Sequence, residues 1–353
     1  MTAALKKHFG YVPALDGLRA VAVMLVVFSH TRVLGFQSGD FGVEIFFTLS
    51  GFLITTLLLQ EIDATRGINV LHFYARRLLR LYPALLLFLA LYAIAAHALH
   101  VDFMRDVVIA GFYLTDYAVT FGAAGSGSLV NHTWSLSVEE QFYLVWPWLL
   151  LGLCRFIPKH QLPAALLALA IIALVREMTP LLMGADWTAV YFRFDARLGG
   201  LLLGAFLAAC RREHISIPFK TWGLRISCAA LFVCMFMPVG YTGGLLETPI
   251  AELFTFFLLA RVMDDKTFAL RGWFEAPIPV FLGRISYGIY LFHYPIAVVA
   301  RGIPGGWPIS FVVTLALATG LAWFSWRTVE RAGRLKSRDF RGKAGLMPAG
   351  QGT

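Results

Sequence analysis

Apolar runs of helix length recur along the chain, and their spacing predicts ten membrane-crossing helices at about 15–34, 41–60, 82–100, 137–153, 163–182, 191–210, 223–240, 250–263, 278–300 and 308–327. An eleventh run, 104–121, carries Arg105, Asp106 and Asp116 and is less apolar than the rest. The distribution of basic residues decides its place. If 104–121 does not cross, one side receives Lys6/Lys7, Arg66/Arg76/Arg77/Arg80, Arg155/Lys159, Arg211/Arg212/Lys220/Arg225, Lys266/Arg271 and the tail from Arg327. The other side's connections then hold Arg105 and Arg301, with Arg32 at a helix end. If it does cross, every later loop changes sides and the bias collapses. The pattern therefore predicts an all-α membrane protein, a polytopic bundle of about ten transmembrane helices with both termini cytoplasmic, with 104–121 re-entrant or interfacial over the outer side. Residues 122–128, rich in Gly and Ser, read as an external loop. Residues 1–335 read as one integral-membrane domain without internal repeats, followed by a flexible cytoplasmic tail at 336–353.

Composition supports this class. The chain is 58% hydrophobic and 14% charged, with a mean hydropathy of +0.70, which excludes a soluble domain. The formal net charge of +9 comes from short loops and the C-terminal tail, where membrane topology accounts for it, so no nucleic-acid partner is expected. Cys154, Cys210, Cys228 and Cys234 lie in or at the ends of apolar segments without zinc or redox spacing and read as packing residues. The first apolar run imitates a signal peptide after Lys6 and Lys7. It contains Asp16, Arg19 and His30 and lacks a small-residue cleavage site, so it reads as an uncleaved first helix.

Ionisable residues inside these runs carry the candidate chemistry, because at membrane depth they are costly. In LDGLRAVAVMLVVFSH, Asp16 and Arg19 are three apart and can neutralise each other on a helix. Arg19 and His30 are eleven apart, which returns to within roughly 20° of the same face with a rise of about 16 Å. Glu44 enters the second span from the outer side, near the depth expected for His30, where a carboxylate would orient an imidazole base. Ser50-Gly51 in the same span would let a helix or a ligand approach closely. In HFYARRLLRLYP, Arg76, Arg77 and Arg80 cover one flank of a helix, either as a phosphate clamp or as topology and head-group signals. In WSLSVEEQFYLVWP, opened by Trp134 and Ser135, Ser137 and Glu140 fit a capping box, which leaves Glu139 as the acid without a structural task, while Pro147 predicts a kink. YFRFDARLGG puts Arg193, Asp195 and Arg197 at the outer end of a span as an ion-pair cluster. GRISYGIYLFHYP puts Ser286, Tyr290 and His293 on one face.

Taken together, LDGLRAVAVMLVVFSH, GVEIFFTLSGFLI, FYARRLLRLYP, WSLSVEEQFYLVWP and GRISYGIYLFHYP resemble, in order and spacing, the membrane acyltransferase-3 family, over about residues 11–330. The resemblance implies a ten-helix fold, multi-pass in a bacterial inner membrane, that moves acyl groups, commonly acetyl, from cytoplasmic acyl-CoA to hydroxyls on surface polysaccharide, lipopolysaccharide, peptidoglycan or small molecules. It matches Arg19 and His30 to the family's Arg/His pair and Arg77 and Arg80 to its coenzyme-contacting arginines, with Arg76 beside them. Glu44 stands where an aspartate is common, and Glu330-Arg331-Ala332 lacks the proline often found after that glutamate. No appended SGNH-hydrolase-like domain follows, so a second, partner-carried transfer step is not expected here. Acyl transfer from a thioester to an alcohol needs a base, positive charge for the oxyanion and a clamp for nucleotide phosphates, and no metal. His30 serves as base or acyl acceptor, oriented by Glu44 or, failing that, by Glu139. Arg19 holds the pantetheine-phosphate end of the donor or developing charge. The competing class is a proton-coupled transporter of an anionic substrate, with His30, Glu44 and His293 as relay. The sequence assigns neither the acceptor nor an oligomeric state; membrane lipid is the one certain surrounding.

Overall fold

The computed structural model describes residues 10–36, 39–123, 128–184, 190–234 and 241–342. Lys6, Lys7, residues 124–127 of the Gly/Ser-rich loop, the end of the 223–240 run and the tail from 343 lie outside the described residues. Among the described residues the regular structure is helical throughout.

Pro13 occupies the first turn of α1 (Pro13–His30), where a missing N–H costs nothing. α2 (Asp40–Thr65) stops where Arg66 turns left-handed at φ 60°. The Asn69 side chain then accepts the His72 N–H and starts α3 (Val70–Ala98). The arginine-rich stretch 72–83 and the third apolar run are thus one helix, 29 residues long, rather than a short surface helix followed by a span. The 104–121 run breaks into α4 (Met104–Gly111) and α5 (Thr115–Thr120) around Tyr113 at φ 54°. α6 (Trp134–Phe156) runs through Pro147 without interruption, and α7 (Leu162–Leu182) follows. The span expected at 191–210 is shorter: 194–196 form a single 3-10 turn and α8 is Gly199–Arg212. α9 (Lys220–Cys234) and α10 (Tyr241–Asp264) come next. The span expected at 278–300 divides at Ile285 into α12 (Pro277–Arg284) and α13 (Ser286–Ala300), preceded by the single turn α11 (Arg271–Phe274). α14 (Gly306–Arg327) and α15 (Val329–Gly342) close the chain, the last crossing the expected start of the tail at 336.

Among the described residues five stretches, Pro13–His30, Asp40–Thr65, Val70–Ala98, Lys159–Pro180 and Gly306–Gly333, are long and apolar enough to cross a membrane. α1 joins two wings. On one side it packs on α2, which in turn packs on α8 and α10, with α7 and α9 outside them. On the other it packs on α12 and α13, and α14, α3 and α15 complete that wing. α2 and α8 approach each other closely: a Cβ at Gly51 would lie 1.9 Å from Leu201 O and one at Gly204 would lie 2.1 Å from Thr48 O. Each glycine lets the other helix's backbone in. Of the two uses expected of Ser50-Gly51, Gly51 serves the first by admitting a helix, while Ser50 bonds Glu139 on another face.

Candidate functional site

Residues from α1, α2, α3, α6 and α13 line one polar track alongside α1, where the two wings meet. It starts at the end of the bundle that carries the first turn of α1. There Arg19 Nη1 lies 3.4 Å from Asp16 Oδ1, the i, i+3 pair expected from the sequence. Arg19, Arg77 and Asp16 all sit close enough to Arg80 for their charges to act on it. Arg80 is exposed and makes no ion pair among the described residues. Arg77 lies 3.5 Å from Glu140 Oε1 and covers the Tyr143 ring, 3.3 Å from its centroid. Arg76 parts from them. One position further round the helix, it reaches Glu61 at 3.4 Å, so the three arginines do not share a flank.

One turn deeper, Ser50 Oγ donates to Glu139 Oε1 at 2.5 Å. Glu139 lies within reach of the charges of Arg77 and Arg19. The capping-box reading of Ser137 and Glu140 is overturned. α6 begins at Trp134, three residues earlier, so Ser137 is already helical and donates back to Thr133 O at 3.2 Å, while Glu140 faces Arg77.

Beyond Glu139 comes a Ser–Tyr–His cluster. Tyr290 Oη lies 2.7 Å from His132 O and 2.6 Å from Ser135 Oγ. A carbonyl can only accept, so the phenol donates to His132 O and Ser135 donates to the phenol. The same rule fixes the imidazoles. His293 Nδ1 lies 2.6 Å from Tyr290 O and must carry the hydrogen, which leaves Nε2 of the neutral ring as an acceptor. His30 Nδ1 lies 3.0 Å from Val26 O and 3.2 Å from that His293 Nε2, so it too carries the hydrogen. The lone pair of His30 is thereby placed on Nε2, the nitrogen a base would use. His293 is fully buried, whereas His30, the last residue of α1, is half-buried. The expected first span ran on to about residue 34; the structure ends the helix on His30, because the left-handed Arg32 and Leu34 turn the chain away.

Glu44 does not orient His30. Its carboxylate is held by Arg197 Nη2, and Arg197 Nη1 reaches Glu177 Oε1 at 2.9 Å. Glu252 stands within the field of the same guanidinium and accepts the Gly200 N–H at 2.6 Å. Arg197 is 1% exposed and stacks near Tyr191 and Trp134, 4.4 and 5.7 Å from their centroids. Trp134 thus belongs to this buried ion cluster, while its neighbour Ser135 belongs to the track. Arg193 remains with Asp195 at 2.8 Å, joined by Arg176 at 2.6 Å, so the expected three-residue cluster is split by the inward turn of Arg197.

Two site residues were missed by sequence reasoning. His132, two residues before Trp134, stacks on Tyr294 at 5.0 Å and stands edge-on to His293 at 5.4 Å. Tyr290 was placed on the right face but given no role. A histidine next to the WSLS run and a tyrosine three residues before His293 were the available signals. Among the described residues no group of His, Cys, Asp and Glu is arranged to hold a metal ion.

Comparison with known proteins adds a frame for this geometry. A profile of the acyltransferase domain of acyltransferase family 3 matches residues 12–327. The O-acetyltransferase OatA of Staphylococcus aureus (strain NCTC 8325 / PS 47) is 31% identical over 358 residues, an alignment that takes in 92% of this chain and 58% of that protein. The peptidoglycan O-acetyltransferase OatA of Listeria monocytogenes is 31% identical over 310 residues, with 81% of this chain and 49% of that protein covered. The chain therefore spans about half the length of these relatives. No solved structure matches it.

Proposed function

Because this chain belongs to the acyltransferase-3 family, we propose that it is a multi-pass O-acyltransferase of a bacterial inner membrane, moving an acetyl group from cytoplasmic acyl-CoA to a hydroxyl of an extracytoplasmic glycan or glycolipid. The observation that carries this reading is the track from the arginine end to His30 Nε2. It offers guanidiniums for phosphates at one end, a lone pair for a hydroxyl proton at the other, and polar side chains between. The names of the relatives, two O-acetyltransferases of which one acts on peptidoglycan, favour acetyl as the group and a glycan as the acceptor.

In the proposed reaction the donor's nucleotide stays at the arginine end, because its phosphates cannot enter hydrocarbon, and its thioester reaches inward past Glu139. His30 Nε2 takes the acceptor's proton as the hydroxyl oxygen attacks the thioester carbon. The C–S bond breaks and the thiolate recovers the proton from His30. His293 is a positioning residue that holds His30 in the useful tautomer, and Arg19 stands where developing negative charge or the pantetheine phosphate would be met.

Incubating the purified protein with acetyl-CoA and a glycan acceptor, and measuring thiol release, tests the activity directly. Replacing Arg77 and Arg80 together by Gln is expected to raise the apparent donor KM by at least tenfold, on the order of 1.5–3 kcal/mol for each charged hydrogen bond lost, with acceptor dependence little changed. Lysine replacements should rescue in part, keeping charge without the planar fork. A Gln variant that binds donor normally would leave these arginines as topology signals. For sidedness, reporters fused at either terminus are expected to report cytoplasm; an external C-terminal signal would remove the ten-span arrangement and the donor side with it.

A further inference from the structure

Arg284 ends α12, and its position is fixed by two close backbone approaches. A Cβ at Gly283 would fall 1.8 Å from Asp16 O, and one at Gly17 would fall 2.1 Å from Phe274 O, so the turn of α11 and α12 is seated directly on the start of α1. This seating brings the Arg284 guanidinium to the Tyr11 ring, 5.4 Å from its centroid. Arg284 Nη2 donates to Tyr11 Oη at 3.0 Å, and Tyr11 Oη donates to Asp16 Oδ2 at 2.7 Å. Arg284 Nε itself lies 3.8 Å from Asp16 Oδ2. Asp16 is therefore shared by two arginines, Arg19 on one oxygen and Arg284 on the other.

Neither arginine is tightly held. Their separations from Asp16, 3.4 and 3.8 Å, and that of Arg77 from Glu140, 3.5 Å, exceed the roughly 2.7–2.9 Å of a charge-assisted hydrogen bond. Guanidiniums that tie helices together elsewhere in the chain sit closer: Arg212 to Asp63 and Arg211 to Asp264, both at 2.6 Å. Four guanidiniums, those of Arg19, Arg77, Arg80 and Arg284, stand with three carboxylates, Asp16, Glu139 and Glu140, at this end of the bundle. The cluster keeps an excess of positive charge and unspent donors. Arg284 is also more open to water than Arg19 or Arg77, with 42% of its side chain exposed against 23% and 18%.

We propose that Arg284 is a further donor-binding residue and takes the phosphomonoester of the coenzyme, the 3′-phosphate on its ribose, while Arg77 and Arg80 take the diphosphate. The assignment rests on the acyl-CoA reading above. It follows from order along the donor: the acyl end goes deepest, the diphosphate lies outside it, and the ribose phosphate stays furthest toward water, where the Arg284 fork is presented by Tyr11 and Asp16. A phosphomonoester is also the most highly charged group of the donor, suited to an arginine whose own carboxylate is shared and distant.

Thiol release by the purified full-length protein, measured against donor concentration with acetyl-CoA and with acetyl-3′-dephospho-CoA, tests the assignment. The parent is expected to show a KM about tenfold higher for the dephospho donor. Arg284→Gln should raise the KM for acetyl-CoA about as much and leave the dephospho donor unchanged, so that the ratio falls to near one, and Arg284→Lys should keep part of it. A variant that weakens both donors equally would make Arg284 a structural clamp on α1 and overturn the proposal. So would a parent that uses both donors alike, a result that needs no variant and leaves the acyl-CoA reading standing. If the parent releases thiol from neither donor, the acyl-CoA reading and this assignment fall together.

Discussion

Replacing His30 by alanine is expected to lower the rate of acyl transfer by about two to four orders of magnitude while the protein remains folded in the membrane. The size of the loss follows from the hydrogen-bond directions: Val26 O and His293 Nε2 both accept from Nδ1, so Nε2 is the one lone pair the imidazole can offer. Removing the ring removes the base. Folding should survive because His30 is half-buried at the last position of α1 and closes no ion pair. Alanine in place of His293 should cost less, since His30 then keeps Val26 O as one acceptor and loses only the second. Initial rates of acetyl transfer with each variant, normalised to protein extracted from membranes, measure both effects. A His30 variant working at near the parental rate would make the histidine pair structural and remove the proposed mechanism.

The second large effect is on folding. Methionine in place of Arg197 is expected to destabilise the protein by about 3–5 kcal/mol, because it strands Glu44 and Glu177, together with Glu252, in the interior without their shared cation. Arg197 is 1% exposed, so water cannot take over its role. Lowered yield of monodisperse protein and an earlier thermal transition in detergent would register the loss; a methionine variant that melts with the parent would show that these carboxylates manage without the guanidinium. The double change Arg197→Met with Glu44→Gln should recover part of the stability, since it removes one of the stranded charges.

Helix content and the local landmarks could be read from the chain because they depend on spacing. The Asp16–Arg19 pair, the helical face shared by Tyr290 and His293 and the apolar runs are all short-range patterns. Helix ends were read less well where polar residues continue a helix. The three arginines of 76–80 read as a short helix ahead of the third span, yet they lie inside α3, and the run expected at 278–300 divides at Ile285, just after Gly283-Arg284. Partnerships across the bundle were beyond reach. Glu44 and His30 were matched on depth alone, but depth cannot say which way a side chain points, and Arg197 lies 153 positions from Glu44. For the same reason no spacing in the sequence marks Arg284, whose place is set by the seating of α12 on α1.

The chain of imidazoles also determines where a proton can travel. A proton taken up on His30 Nε2 can displace the Nδ1 hydrogen onto His293 Nε2, but His293 Nδ1–H is bonded to the Tyr290 carbonyl, which has no hydrogen to pass on, so along this row the proton goes no further than His293. In the proposed transfer it must return to the departing sulfur, and nothing is drawn from or released to either side of the membrane. Such a site has no use for the electrochemical gradient: turnover in detergent micelles, where no gradient exists, should match turnover in energised vesicles once access to donor and acceptor is made equal.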